Sequence, residues 1–154
     1  MIKQFKIGSK IFNHNKSVYV IAEIGINHEG DIKVCADMIK QAALAGANAI
    51  KLQSLDPDEN YAKDTLSYSL FKKAYTPWEW HERLFEVAKE EGFICFSSPF
   101  DKSAVDFLEN LSVPAYKIAS FEITDIPLIR YIASKGKPII ISTGIACKDD
   151  IELA

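Results

Sequence analysis

Ala115-Tyr-Lys-Ile-Ala-Ser-Phe-Glu-Ile-Thr-Asp-Ile-Pro-Leu-Ile-Arg-Tyr-Ile-Ala-Ser-Lys-Gly-Lys-Pro-Ile-Ile-Ile-Ser-Thr143 holds one complete structural unit. The run Ala115–Ala119 is short, apolar on both faces and interrupted only by Lys117, which predicts a buried parallel strand. Pro127 to Ser134 has helix period and closes at Gly136. Pro138–Ser142 is a second strand of the same kind, and both strands end in residues able to do chemistry: Lys117, Ser120 and Glu122 after the first, Ser142 and Thr143 after the second.

The same unit recurs upstream. Val18–Ile24, Ala49–Leu52 and Ile94–Ser97 are further apolar runs. Asp31 is placed to cap a helix whose Ile32, Cys35, Ala36, Ile39 and Ala43 share a face, with Gly46 as its stop. Thr76-Pro77-Trp78-Glu79 has the form of a capping box with proline at the first helical position, opening a helix through Trp80, Leu84, Val87 and Ala88 to Gly92. Asp101 begins another, carrying Ala104, Val105 and Leu108. The order β-α-β-α-β-α-β-α-β means parallel strands with right-handed crossovers, in a doubly wound sheet or a (β/α)8 barrel. Glu23, Lys51 with Gln53, and Ser97 with Ser98 sit at the C-terminal ends of the upstream strands, as Lys117, Ser120, Glu122 and Ser142 do downstream. A barrel gathers all such ends around one mouth, so the sequence predicts the α/β class and the TIM barrel within it.

A complete barrel takes about 250 residues, and 154 residues supply about five β/α units. The chain stops at Ala154 inside what reads as the start of another helix, Lys148–Leu153, which leads to the expectation that residues 1–154 are the N-terminal portion of a longer barrel domain. Ahead of the first barrel strand, Phe5–Phe12 reads as a β-hairpin around Gly8-Ser9 that plugs the barrel bottom.

Composition bounds the function classes. With 48% hydrophobic and 25% charged residues the chain is an ordinary globular one. Its 18 Lys+Arg against 21 Asp+Glu, net −3, provide no global positive field for nucleic acid or an anionic membrane. The N-terminus lacks the apolar core of a secretory signal and no stretch is long enough to span a bilayer, so the expected address is cytoplasmic. Cys35, Cys95 and Cys147, an odd number at wide spacing, read as reduced and mostly buried thiols.

Lys51 and Lys117 are the informative residues, because a lysine inside a buried strand requires an anion. Either alone has a second reading, a lysine that reaches solvent or pairs with Glu23 or Glu122. Two at equivalent strand ends, beside Ser98, Ser120 and Ser142, outline a phosphate or carboxylate site, with Gly144 allowing close backbone approach. No Walker or GxGxxG loop is present, which leaves nucleotide and NAD readings without support. Glu23 is either a buried acid or the partner of a lysine, and Asn27-His28-Glu29-Gly30 reads as a turn. His14 and His81 lack ligand-spaced partners, so no complete metal site is expected within the chain, and His81 is expected on a helix surface. The connection from Ser54 to Tyr75 is long for a βα loop and suggests a lid or specificity element. Its aromatics, with those following (Tyr68, Phe71, Tyr75, Trp78, Trp80, Phe85), fit either helix packing or a ligand pocket.

Five stretches in register carry a resemblance: Ile21-Ala-Glu-Ile-Gly-Ile-Asn-His28, Ala45-Gly-Ala-Asn-Ala-Ile-Lys-Leu-Gln53, Phe96-Ser-Ser-Pro-Phe-Asp101, Tyr116-Lys-Ile-Ala-Ser-Phe-Glu122 and Lys135-Gly-Lys-Pro-Ile-Ile-Ile-Ser-Thr-Gly144. In order and spacing they resemble the sialic acid synthase family. Within it, Phe71-Lys-Lys-Ala-Tyr-Thr-Pro-Trp-Glu-Trp-His81 and Ala119-Ser-Phe-Glu-Ile123 look more like the pseudaminic acid synthase branch than the N-acetylneuraminate branch, whose corresponding stretch usually carries Ser-Gly-Glu.

The resemblance implies a TIM barrel that condenses phosphoenolpyruvate with an amino-sugar aldehyde, releasing phosphate, with a divalent metal, usually manganese, polarising the aldehyde. Carried over by motif, it implies that Lys51, Gln53, Ser98, Lys117, Ser120 and Ser142 bind phosphoenolpyruvate. Glu23 is implied to act on the aldehyde or the attacking water, Glu122 to contact the sugar, and Phe121 to favour a 6-deoxy sugar. It also implies a homodimeric full-length parent, with the metal-binding histidines and a C-terminal antifreeze-like domain beyond this chain, so the isolated 154 residues are expected to be inactive. Two alternatives stand beside this: an N-acetylneuraminate or legionaminate synthase, and a non-catalytic half-barrel that binds an anion or associates through its open strand edges.

Overall fold

The computed structural model describes residues 4–13 and 18–154; His14 lies outside them. β1 (Gln4–Ile7) and β2 (Lys10–Asn13) form the antiparallel hairpin. Its Gly8 turn lies against Ile94 and Pro114, at the N-terminal end of a sheet strand, which is the bottom position expected for a plug. Five parallel strands follow in sequence order: β3 (Ile21–Gly25), β4 (Ala49–Ser54), β5 (Ile94–Pro99), β6 (Tyr116–Ile118) and β7 (Ile139–Ile141). The first strand is shorter than its apolar run suggested. Val18 is 85% exposed, and Val20 stands outside the strand, its carbonyl accepting from the Asn48 and Ala49 backbone N–H groups and its N–H donating to the Asn48 side chain.

The helices are α1 (Ile32–Leu44), α2 (Pro57–Asn60), α3 (Leu66–Ala74), α4 (Trp78–Glu90), α5 (Lys102–Asn110), α6 (Ile126–Ala133) and α7 (Lys148–Leu153). Asp31, Asp101 and Asp125 cap α1, α5 and α6 by accepting from first-turn backbone N–H groups, as short carboxylates do when the first turn has no internal partner. The expected capping box at Thr76 is absent: Pro77 is the N-cap of α4, with no side-chain cap bond. The Thr76 hydroxyl is turned to a buried histidine instead, a partner that a hydroxyl in a dry site satisfies before a solvent-facing helix end.

Strand alternation decides the architecture. Ile50, Leu52 and Cys95 pack with Ile24 against α1 and α4, and Tyr116 and Ile118 pack against α5 and α6 through Val105, Leu108, Leu128, Ile129 and Ile132. In the register Ser97 pairs with Tyr116, so both clusters cover the same face of the sheet. Sequential strand order with every crossover on one face is a barrel wall; a doubly wound sheet reverses its order and covers both faces. The opposite face carries Glu23, Lys51, Gln53, Ser98 and Lys117. Among the described residues no helix is long and apolar enough to cross a membrane. Cys35 and Cys95 are buried core thiols, as expected; Cys147 differs, standing exposed as the N-cap of α7.

Candidate active site at the strand ends

The helix-free face gathers the sequence-selected residues into one arc across the five strands. Glu23 and Lys51 are register partners on β3 and β4, and their side chains form an ion pair of 2.9 Å. Lys51 is buried and also donates to Ser98 Oγ (3.2 Å) on β5 and to its neighbour's carbonyl, Leu52 O (3.3 Å). Gln53 and Ser98 are register partners one step further up. Gly25, at a β-bulge after Glu23, would place a Cβ 3.3 Å from Glu23 Oε1 and 3.7 Å from Gln53 Oε1, so the bare backbone makes room for both polar ends.

The second half of the arc is built on β6 and β7. Lys117 donates to Ile118 O (2.9 Å) and to Ser142 Oγ. Burial lowers the Lys117 ammonium's affinity for its proton, and the Lys51 charge lowers it further, against the opposing pull of Glu23 and Glu122. Ser120 opens a 3₁₀ turn, Ser120–Thr124, whose Oγ would be 3.3 Å from a Cβ on Gly144. That is the close backbone approach the Ser142-Thr143-Gly144 run suggested. Glu122 is on the same turn. Its Oε2 is buried without a hydrogen-bond partner among the described residues, and burial raises its carboxyl's proton affinity. Lys117 on β6 therefore lies in the field of Lys51 on β4 across β5, a repulsion that Glu23 and Glu122 offset in part and a bound anion would offset further.

Phe121 is 79% exposed and has no aromatic neighbours among the described contacts. The aromatic group upstream resolves into packing: Trp78 stacks on Phe107 (4.7 Å between centroids) and Trp80 meets the His28 ring edge-on at 6.0 Å. The long connection is two short helices held by Asp58, which accepts from Tyr68 (2.8 Å) and Lys72 (2.6 Å); these bonds pull its carboxyl down to about 2. The connection is pinned to the strand ends by Asn60 donating to Asp101 (3.1 Å). Tyr61 follows, stacked on Phe71, and its hydroxyl feels the Glu122 carboxylate.

Two histidines also change their reading. His28, in the expected turn, is fully buried. Its Nδ1 accepts from Gly30 N–H (3.2 Å), which leaves Nε2–H to donate to Thr76 Oγ1 (2.8 Å). His81, expected on a helix surface, is fully buried as well. Its Nδ1–H donates to Pro77 O (3.1 Å), since a carbonyl only accepts, so Nε2 accepts from Ser54 Oγ (2.7 Å), and Ser54 accepts in turn from Ser97 (2.7 Å). The sequence signal was its spacing: His81, Leu84 and Ala88 fall on one helical stripe.

Burial pulls the His81 imidazole down from 6.5 to about 4. The unfolded chain takes up this proton between those values and the folded chain does not, so the group's contribution is complete above about pH 6.5 and is lost as pH falls toward about 4. Integrated over that window it amounts to about 3 kcal/mol. Thermal unfolding at pH 4.5 and pH 7 is expected to show a smaller pH-dependent loss for His81→Gln than for the wild type. Equal losses would place the titration elsewhere.

Among the described residues no three His, Cys, Asp or Glu side chains converge into a metal ligand set. The described residues do not by themselves fit a divalent ion.

A model of the NeuB family matches residues 38–154. The chain belongs to the NeuB family. This NeuB chain is 44% identical to the pseudaminic acid synthase of Campylobacter jejuni over 154 aligned residues, covering 91% of this chain and 45% of that protein. It is 32% identical to the N,N'-diacetyllegionaminic acid synthase of Legionella pneumophila, covering 96% of this chain and 45% of that protein. Among solved structures it superposes with a TM-score of 0.92 on the N-acetylneuraminic acid synthetase of Leptospira borgpetersenii in complex with citrate, at 33% identity, covering 97% of this chain and 52% of that one. The chain thus spans about half the length of the relatives it matches, and its wall of parallel strands is the corresponding part of their fold.

Proposed function

We propose that the full-length protein condenses phosphoenolpyruvate with a 2,4-diacetamido-2,4,6-trideoxy hexose, releasing phosphate and forming pseudaminic acid. The observation that carries this is the pair of lysines on the helix-free face, each bonded to a strand-end serine, with Lys117 in the field of Lys51. Such a pair suits a small ligand with two anionic groups, and phosphoenolpyruvate has a phosphate and a carboxylate. The greater identity to a pseudaminic acid synthase than to a legionaminic acid synthase supports the choice of sugar.

In this reading Lys51 and Lys117 hold the anion, and Ser98, Ser120 and Ser142 donate to its oxygens, with Gln53 beside them. C3 of phosphoenolpyruvate bonds to the aldehyde carbon while water adds at C2, and the tetrahedral intermediate loses phosphate by C–O cleavage. Glu23, held at the anion by Lys51, exchanges the proton at the aldehyde oxygen or the attacking water. Glu122, whose free oxygen has no partner among the described residues, accepts from a sugar hydroxyl or amide. A divalent metal, manganese by family resemblance, would supply Lewis-acid polarisation from ligands outside the described residues. The 154 residues alone are proposed to be inactive, and the full-length protein to be a cytoplasmic homodimer.

The test compares 2,4-diacetamido-2,4,6-trideoxy-altrose with N-acetylmannosamine in the full-length protein. The former is expected to have the higher kcat/KM, by roughly tenfold or more, because the two sugars differ at C4 as well as at C6. Preference for N-acetylmannosamine would overturn the choice of sugar. Glu23→Gln, which keeps the shape, is expected to lower kcat chiefly and leave the affinity for phosphoenolpyruvate near wild type; the reverse pattern would move Glu23 from proton transfer to binding.

A further inference from the structure

Behind the candidate pocket, on the helix-covered face of the same strands, lies a polar chain that the proposed reaction does not use. Ser97, Ser54 and His81 are all buried, and their bonds run in one direction, from Ser97 to Ser54 to His81 Nε2 and from His81 Nδ1 to the Pro77 carbonyl. The direction is fixed at the far end, because only Nδ1–H can serve that carbonyl while the ring is neutral. Strand alternation places Ser54 next to Gln53 on β4 and Ser97 next to Ser98 on β5, with the two site residues on the opposite face. Ser54 is the last residue of β4 and Ser97 lies two residues before the end of β5, so the chain ties the C-terminal parts of both strands together. Thr76, just ahead of the N-cap of α4, also holds the turn after β3 by accepting from His28.

We propose that His81 is a positioning residue for the phosphoenolpyruvate pocket, acting through Ser54 and Ser97 on Gln53 and Ser98. The proposal rests on the reading of that pocket as the phosphoenolpyruvate site. Apolar packing at these positions satisfies burial and leaves the strand ends free to slide by fractions of an ångström. A directed chain of bonds of 2.7, 2.7 and 3.1 Å does not. Displacing binding groups by about an ångström is enough to lower their effectiveness up to a hundredfold.

Isothermal titration of phosphoenolpyruvate into the full-length protein, with thermal unfolding in parallel, separates positioning from stability. His81→Leu is expected to weaken binding about tenfold or more and to lower the melting temperature, because Ser54 loses its acceptor. The triple variant His81→Leu, Ser54→Ala, Ser97→Ala removes every unpaired group. It is expected to recover most of the melting temperature while the dissociation constant stays raised. Recovery of both would make the chain a packing device and overturn the proposal, as would wild-type affinity in His81→Leu. If His81→Leu does not fold, Ser54→Ala breaks both serine links by removing one oxygen and carries the same expectation, and wild-type affinity there is equally contrary. Lys51→Met reports on the pocket independently: unchanged phosphoenolpyruvate affinity in that variant means the pocket reading has failed, whereas weakened binding there with wild-type binding in the His81 and Ser54 variants means only the positioning role has.

Discussion

Lys117→Met in the full-length protein is expected to weaken phosphoenolpyruvate binding by one to two powers of ten with little change in melting temperature. Lys117 is half-buried and spends its hydrogen bonds on one carbonyl and on Ser142, and its ammonium is disfavoured both by burial and by the Lys51 charge. Without a ligand the charge is a burden to the fold, so its removal relieves desolvation while methionine keeps most of the volume. With an anion bound, the same charge makes a charge-assisted hydrogen bond worth about 1.5–3 kcal/mol. Lys51→Met differs in one respect, since it also releases Glu23 from its ion pair, and kcat is expected to fall there together with affinity. If Lys117→Met bound phosphoenolpyruvate as tightly as the wild type, the β6 and β7 half of the arc would not belong to the anion site. Loss of folding in place of affinity would mean that the lysine is retained for structure.

Gly30→Ala is expected to be the most damaging small substitution in the wall. Gly30 has φ +81°, and a Cβ there would lie 2.3 Å from the Lys73 carbonyl oxygen. That contact is with backbone at the end of α3, so the loop after β3 and the α2–α3 excursion must separate. The same movement strains the Gly30 to His28 bond and the His28 to Thr76 bond that close this corner. The backbone conformation and the overlap together are expected to destabilise by roughly 2–5 kcal/mol. Gly46→Ala isolates the two effects: its φ is also +81° and nothing lies within 4 Å of its added Cβ. It is expected to show only the conformational part, about 1 kcal/mol or slightly more. Equal losses of melting temperature in the two variants would show that the Lys73 contact relaxes without consequence.

The wall was legible because its signals are redundant. Each strand is apolar on both faces, each C-terminal end is polar, and four of the helices begin at an aspartate whose carboxylate caps the first turn. Lys51 and Lys117 could be singled out because a charge inside such a strand has few explanations, and the register then brought Glu23, Ser98 and Ser142 to them. His81 and Thr76 were misread because local pattern does not say which group a side chain meets across the fold. Thr76 has the form of a cap, but its hydroxyl is 48 residues from the histidine it serves. The partner of His81 is likewise a serine on another element, although its place on the Leu84 and Ala88 stripe pointed inward. The aromatics were ambiguous for the same reason, and Phe107, remote in sequence, decides that Trp78 packs α4 against α5. Tyr61 shows the limit in the other direction: nothing in its neighbourhood marks it, and only the folded excursion stacks it on Phe71.

The measurement that tests the account most directly follows phosphate and the sugar product together. The full-length protein is incubated with phosphoenolpyruvate, manganese and 2,4-diacetamido-2,4,6-trideoxy-altrose, while inorganic phosphate and nine-carbon 2-keto acid are quantified over time. Both are expected to appear at the same rate in a ratio of one to one, and both rates are expected to collapse in Lys117→Met at limiting phosphoenolpyruvate. Transfer of the phosphate onto the sugar, or consumption of neither substrate, would contradict it.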